Sequence, residues 1–194
     1  MKIFPTELLE QTVSWLTLLN KDERLMIIVA SARLDDLLKR LLQSTMLHDS
    51  GGDDRLFGHD RPLGSFSSRI LLAYRLGLIS RDYESFLQTL RRLRNDAAHA
   101  VQDINLSVSP HLDRVITLQT LASKSPLWHE FFRDEPVNPH TNPAHSLYSS
   151  LVIAVMNGEA AVLDAKPLTV DTVCCFDLMR PEWPGKSSGD ATSV

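Results

Sequence analysis

The residues best suited to chemistry lie in the run Arg94-Asn95-Asp96-Ala97-Ala98-His99. A guanidinium is a planar, permanently charged fork that suits an oxyanion, and an imidazole is a near-neutral base that suits proton transfer. A helix carrying them constrains the idea. Five residues at about 100° each set Arg94 and His99 about 140° apart around a straight helix, so they do not share a face. Asn95 and His99, four apart, do share one, and Arg92 lies close to the same line. Arg94 joins them only if the helix ends here or a second subunit contributes across a dimer axis. The competing structural reading has Asn95, Asp96 and His99 hydrogen-bonding to the helix end and to the loop after it.

Other candidate constellations are weaker. Residues 48–64 hold two histidines, His48 and His59, and four aspartates, Asp49, Asp53, Asp54 and Asp60, in a long glycine-rich loop. Metal binding is the sharp reading, but the stretch has neither a helical histidine pair nor a bracketed acidic loop, and Asp and Gly are also ordinary turn-formers. No metal or cofactor site is expected. Ala73, Gly77 and Leu78 fall near helix-turn-helix spacing, with residues 80–94 as the recognition helix. Leu78-Ile79 lengthens that turn by one residue, and Asp82 and Glu84 would meet the phosphates with the wrong charge. There is no Gly-x-Ser-x-Gly and no phosphate-binding glycine loop, and the adjacent Cys174-Cys175 lacks a nearby histidine. His129, His140 and His145 are scattered over a connector and two helix ends, and are expected to be exposed or capping.

The elements that must position these residues are helical throughout. A short amphipathic helix is expected after Pro5, stopping near Asn20, which with Glu23 makes a capping pair for the next helix. That helix should run to about Thr45 as the long central one, burying Leu25, Ile28, Val29, Ala32, Leu37, Leu38, Leu41 and Leu42. Ser65, Ser67 or Ser68 can cap a helix over residues 69–76, which Gly77 ends. Ser80 caps another, with Phe86, Leu87, Leu90, Leu93 and Ala97 as its apolar stripe and Arg91, Arg92, Arg94 and Asn95 on the other sides. Residues 102–110 alternate and suggest an extended stretch. Helices follow over residues 110–122 and 128–132. After a proline-rich connector, residues 144–163 form an apolar helix that Gly158 kinks or caps. The expected architecture is therefore an all-α multi-helix bundle, one domain over residues 1–165, with a C-terminal extension over residues 166–194 expected to be partly disordered.

Composition narrows the function classes. With 194 residues, 43% of them hydrophobic, the chain can bury one substantial core. Its formal charge of -4 argues against a dedicated duplex-binding domain, which needs a local basic face. The single adjacent cysteine pair fits a reducing compartment. An acidic residue, Glu7, interrupts what would be the apolar part of a secretory signal, and residues 147–156 fall short of the ~20 apolar residues that span a bilayer. A cytoplasmic protein without membrane contact is expected.

Two family resemblances attach to these residues. Arg94 and His99 match the arginine-(four residues)-histidine signature of the HEPN superfamily, many of whose members are ribonucleases acting with paired motifs at a dimer groove. In that likeness Arg94 would hold a phosphate and His99 would move the proton during attack by a ribose hydroxyl. More broadly, Arg33-Leu34-Asp35-Asp36-Leu37-Leu38, Leu56-Phe57, Pro62-Leu63-Gly64-Ser65-Phe66-Ser67-Ser68-Arg69, Leu76-Gly77-Leu78-Ile79-Ser80 and Arg94-Asn95-Asp96-Ala97-Ala98-His99 together resemble the mannitol operon repressor family in order and spacing. The likeness covers roughly residues 22–121. It implies an all-α fold and repression of mannitol or related sugar-alcohol genes in a family that lacks an obvious DNA-binding domain. Action through an unidentified protein partner, with a homodimer possible and direct DNA binding not expected, follows from that likeness and the charge. Members of that family usually place a bulky aromatic where this chain has Ala97, which implies looser packing around the motif.

Overall fold

Asp22, not Asn20, caps the first described helix: its carboxylate accepts from the Leu25 N–H at 2.9 Å. The computed structural model describes residues 22–47, 54–100, 103–133 and 137–169. The helix expected before Asn20, the cysteine pair, His48, Asp49, Asp53 and the tail from residue 170 onward lie outside the described residues. The described helices are α1 (Glu23–Thr45), α2 (Phe66–Arg75), α3 (Arg81–His99), α4 (His111–Ala122), α5 (Pro126–Phe132) and α6 (Pro143–Asp164). No strand occurs among the described residues.

The long helix α1 packs against α6, α3 and α2, while α4 closes the bundle against α3 and α6. α1 shares the centre with α6, which is nearly as long and is buried almost all round from Ser146 to Met156. By length and composition α6 could cross a bilayer, yet most of its apolar window lies inside this bundle. Ser149 and Ser150 are tolerated there because their hydroxyls donate to the carbonyls four residues back. Asn142 caps the helix by accepting from the His145 N–H at 3.0 Å, and Pro143 takes the first position, where a missing N–H costs nothing. Gly158 neither caps nor ends it. The helix runs on to Asp164, and Gly158 marks where α6 approaches Leu37 and Tyr83.

Between α2 and α3 the turn is a Schellman motif. Gly77 adopts φ 70°, the Gly77 N–H reaches the Tyr74 carbonyl and the Leu78 N–H reaches that of Ala73. Ser65 is the working cap of α2, which starts at Phe66, three residues before the expected helix start. The expected extended stretch is instead turns and irregular backbone. Ile104 and Leu106 still bury their side chains, so the alternating pattern reports packing without a ladder. The described part of the aspartate-rich loop is likewise pinned, by Phe57 and Leu63 in the core and by a Leu63 N–H bond to the Leu56 carbonyl at 2.8 Å.

Candidate functional site

The motif occupies the last turns of α3. Its apolar stripe, Phe86, Leu87, Leu90, Leu93 and Ala97, faces the core, and Ala97 is fully buried. That orientation leaves Arg94 and His99 exposed and Asn95 and Asp96 half-buried. Asp96 is the tie between helices: its carboxylate accepts from the Arg114 guanidinium on α4 and lies 3.4 Å from His111 Nε2. The His111 Nδ1 sits 3.0 Å from the Asn105 carbonyl, so this ring links the motif to the segment that follows α3. Asp96 therefore bonds to α4, and not to the end of its own helix or to the loop that follows it. Arg94 donates to Asn95 Oδ1 at only 3.4 Å, and no hydrogen bond to His99 side-chain atoms is found among the described residues.

Arg94 and Asn95, with Arg91, line an open groove of about 330 Å³ between α3, α1 and the first turn of α2. His99 does not line it. The two residues expected to act together are therefore on different surfaces of one subunit, as the helical spacing requires.

Next to this groove lies a fully satisfied cation. Arg69 is 8% exposed; its Nε donates to the Leu63 carbonyl at 2.8 Å, its Nη2 to the Gly64 carbonyl at 3.2 Å, and its Nη1 pairs with Asp35. A Cβ at Gly64 would meet the His59 carbonyl oxygen at 2.4 Å, so only glycine lets the loop deliver these acceptors. On the far side of α1, buried Glu159 of α6 pairs with Arg33. Tyr83 donates to the Ala154 carbonyl at 2.7 Å, and its phenol is pushed well above the usual tyrosine range by burial and then by the Glu159 carboxylate. The spacing rules used on the sequence miss Arg69, Glu159 and Arg91. An acid set among the apolar residues of a helix, as Glu159 is, was the one available sign.

The remaining candidates sort plainly. Asp54 is a turn-former, accepting from the Leu56 N–H at 3.0 Å, and no group of three potential metal ligands comes together among the described residues. Asp82, at the start of the would-be recognition helix, pairs with Lys124, in the turn after α4, at 2.9 Å. His129 and His140 are exposed, and His145 stacks on Tyr148 within the first turns of α6.

No family model matches the sequence, and no curated protein matches it. Among solved structures, one described as the X-ray structure of the MtlR-HPr complex from Escherichia coli aligns with a TM-score of 0.55 at 19% identity, covering 79% of this chain and 97% of that one. The chain shares its all-α fold with that structure.

Proposed function

We propose that the protein is a cytoplasmic transcriptional regulator, a repressor of mannitol or related sugar-alcohol utilisation genes, that works through protein contacts and does not read DNA directly. The observation that carries this reading is the shared fold with an MtlR chain solved in complex with a protein, HPr. Charge supports it: the chain carries -4, and Asp82 and Glu84 in the first turn of α3 would meet DNA phosphates with the wrong charge. The ordered motif segments over residues 22–121 support the same family. The partner is then a protein of the HPr kind, and self-association remains part of the proposal.

Titration calorimetry of the full chain with HPr from the same cell tests the reading. Saturable one-to-one binding is expected, together with no retardation of the cell's own mannitol promoter at low salt. Specific retardation of that promoter by the protein alone would overturn the indirect mode of action.

One observation favours a second reading, a HEPN-type ribonuclease using Arg94 and His99. Both side chains are exposed, and neither is locked into the ion pairs that hold Asp96. Because they face different surfaces, the reaction needs a second copy to bring an Arg94 beside a partner's histidine. Cleavage of RNA by the purified protein, lost in His99→Ala with the fold retained, is the result that would establish it.

A further inference from the structure

Arg91 and Arg94 lie three apart on α3 and both line the groove of about 330 Å³. Among the described residues neither guanidinium has a carboxylate within 4.0 Å, whereas Arg33, Arg40, Arg69, Arg81 and Arg114 all do. Among the described residues Arg91 donates only to Gln88 Oε1, at 3.1 Å, and Arg94 only to Asn95. Two like charges at this helical spacing repel, and an anion between them relieves that repulsion.

The rest of the lining says what kind of anion fits. The N-terminal end of α2 contributes its cap Ser65, whose hydroxyl is held by Ser68, and Ser67, which brings a hydroxyl and an N–H without an intrahelical acceptor. The α1 wall contributes Ile28, Ala32 and Asp35. Asp35 already has its charge met by Arg69, and a carboxylate can only accept hydrogen bonds. The groove thus combines two unpaired cations with a neutralised acceptor. A bare phosphate would use only the cationic part, and a nucleic-acid strand would bring further negative charge against Asp35. A molecule that carries both a dianionic phosphate and hydroxyl donors uses all of it.

We propose that this groove binds the phosphate monoester of a small polyhydroxylated molecule, with the phosphate on Arg91 and Arg94 and a hydroxyl donated to Asp35. His99 is outside the groove, so the site holds its ligand without cleaving it. The site stands on these residues, and the choice of mannitol 1-phosphate as its probe rests on the regulatory reading.

Titration calorimetry of the full chain with mannitol 1-phosphate, inorganic phosphate and mannitol tests it. Mannitol 1-phosphate should bind saturably and roughly tenfold more tightly than inorganic phosphate, while mannitol gives no measurable heat. Arg91→Gln and Arg94→Gln, both at solvent-accessible positions, should each weaken the sugar phosphate by roughly tenfold with an unchanged thermal melting curve. The proposal is overturned by absence of saturable binding, by inorganic phosphate binding as tightly, by unaltered affinity in both variants, or by a single-stranded RNA oligonucleotide that displaces the sugar phosphate at lower concentration.

Discussion

Arg69 and Arg94 stand in similar settings in the sequence, each in a polar motif on a helix, and the fold treats them oppositely. Arg69 is buried with three acceptors around its guanidinium: Asp35 and the carbonyls of Leu63 and Gly64. Arg94 is exposed with one long contact to its neighbour Asn95. A buried charge persists only where its partners offset the lost hydration, so Arg69 is committed to joining α1, α2 and the preceding loop. An exposed guanidinium keeps its hydration and is free to exchange water for a ligand. Pairing commits Arg69 to the fold, and lack of pairing leaves Arg94 open to the proposed ligand.

The strongest way to break that contrast is to remove Arg69. Arg69→Ala leaves the Asp35 carboxylate and two loop carbonyls without their donor, and should cost about 3 kcal/mol in urea denaturation. A loss under about 1 kcal/mol would mean the clamp is ornamental. Next comes the seam on the other side of α1. A Cβ at position 158 would stand 3.1 Å from both Leu37 Cδ1 and the Tyr83 hydroxyl oxygen, and that hydroxyl is held by Ala154. Helix propensity favours Gly158→Ala by up to about 1 kcal/mol, but crowding opposes it by about 1–3 kcal/mol. Net destabilisation of about 1 kcal/mol is expected, measured the same way.

Tyr83→Phe should cost about 1 kcal/mol near neutral pH, through the lost bond to the Ala154 carbonyl. The phenol also sets a pH dependence. Its folded value is raised by burial and by Glu159, so the folded chain holds the proton more tightly than the unfolded chain. That contribution is complete below the unfolded value of about 10 and is lost as pH rises from there toward the raised one. Urea midpoints of wild type and Tyr83→Phe should therefore converge between pH 8 and about pH 10.5. A constant difference would place the phenol in water.

Helix α3 was readable from spacing alone because its apolar residues are few and strictly periodic: Phe86, Leu87, Leu90, Leu93 and Ala97 are all buried. The first half of α1 was not. Residues 25–30 are apolar on every side, so periodicity cannot choose a face, and Leu25 is 45% exposed where Met26 and Ile27 are buried. Ile28 and Ala32, expected in the core, line the groove instead. The Arg33–Glu159 pair was beyond reach for another reason: its members are 126 residues apart, and spacing carries no information at that separation. Asn142-Pro143 carries a cap signal, an asparagine before a first-turn proline, although Pro143 was expected in the connector. The separation of Arg94 from His99 was also legible, since it follows from helical rotation alone.

The smallest expected effect sharpens the contrast within the motif itself. Asp96 is held by Arg114 and His111, but its side chain is 38% exposed, so water screens the pair and Asp96→Ala should cost at most about 1 kcal/mol. Arg94→Gln and His99→Ala remove no comparable contact and should change stability by less than about 0.5 kcal/mol. Thermal melting of the three variants side by side makes the comparison. If Arg94→Gln or His99→Ala loses as much as Asp96→Ala, then the exposed residues are also fastening the end of α3, and lack of an ion pair does not identify a binding cation here. If only Asp96→Ala shifts, one short stretch of helix divides its labour residue by residue: Asp96 holds α4, Ala97 fills the core, and Arg94 and His99 are left to whatever the protein binds.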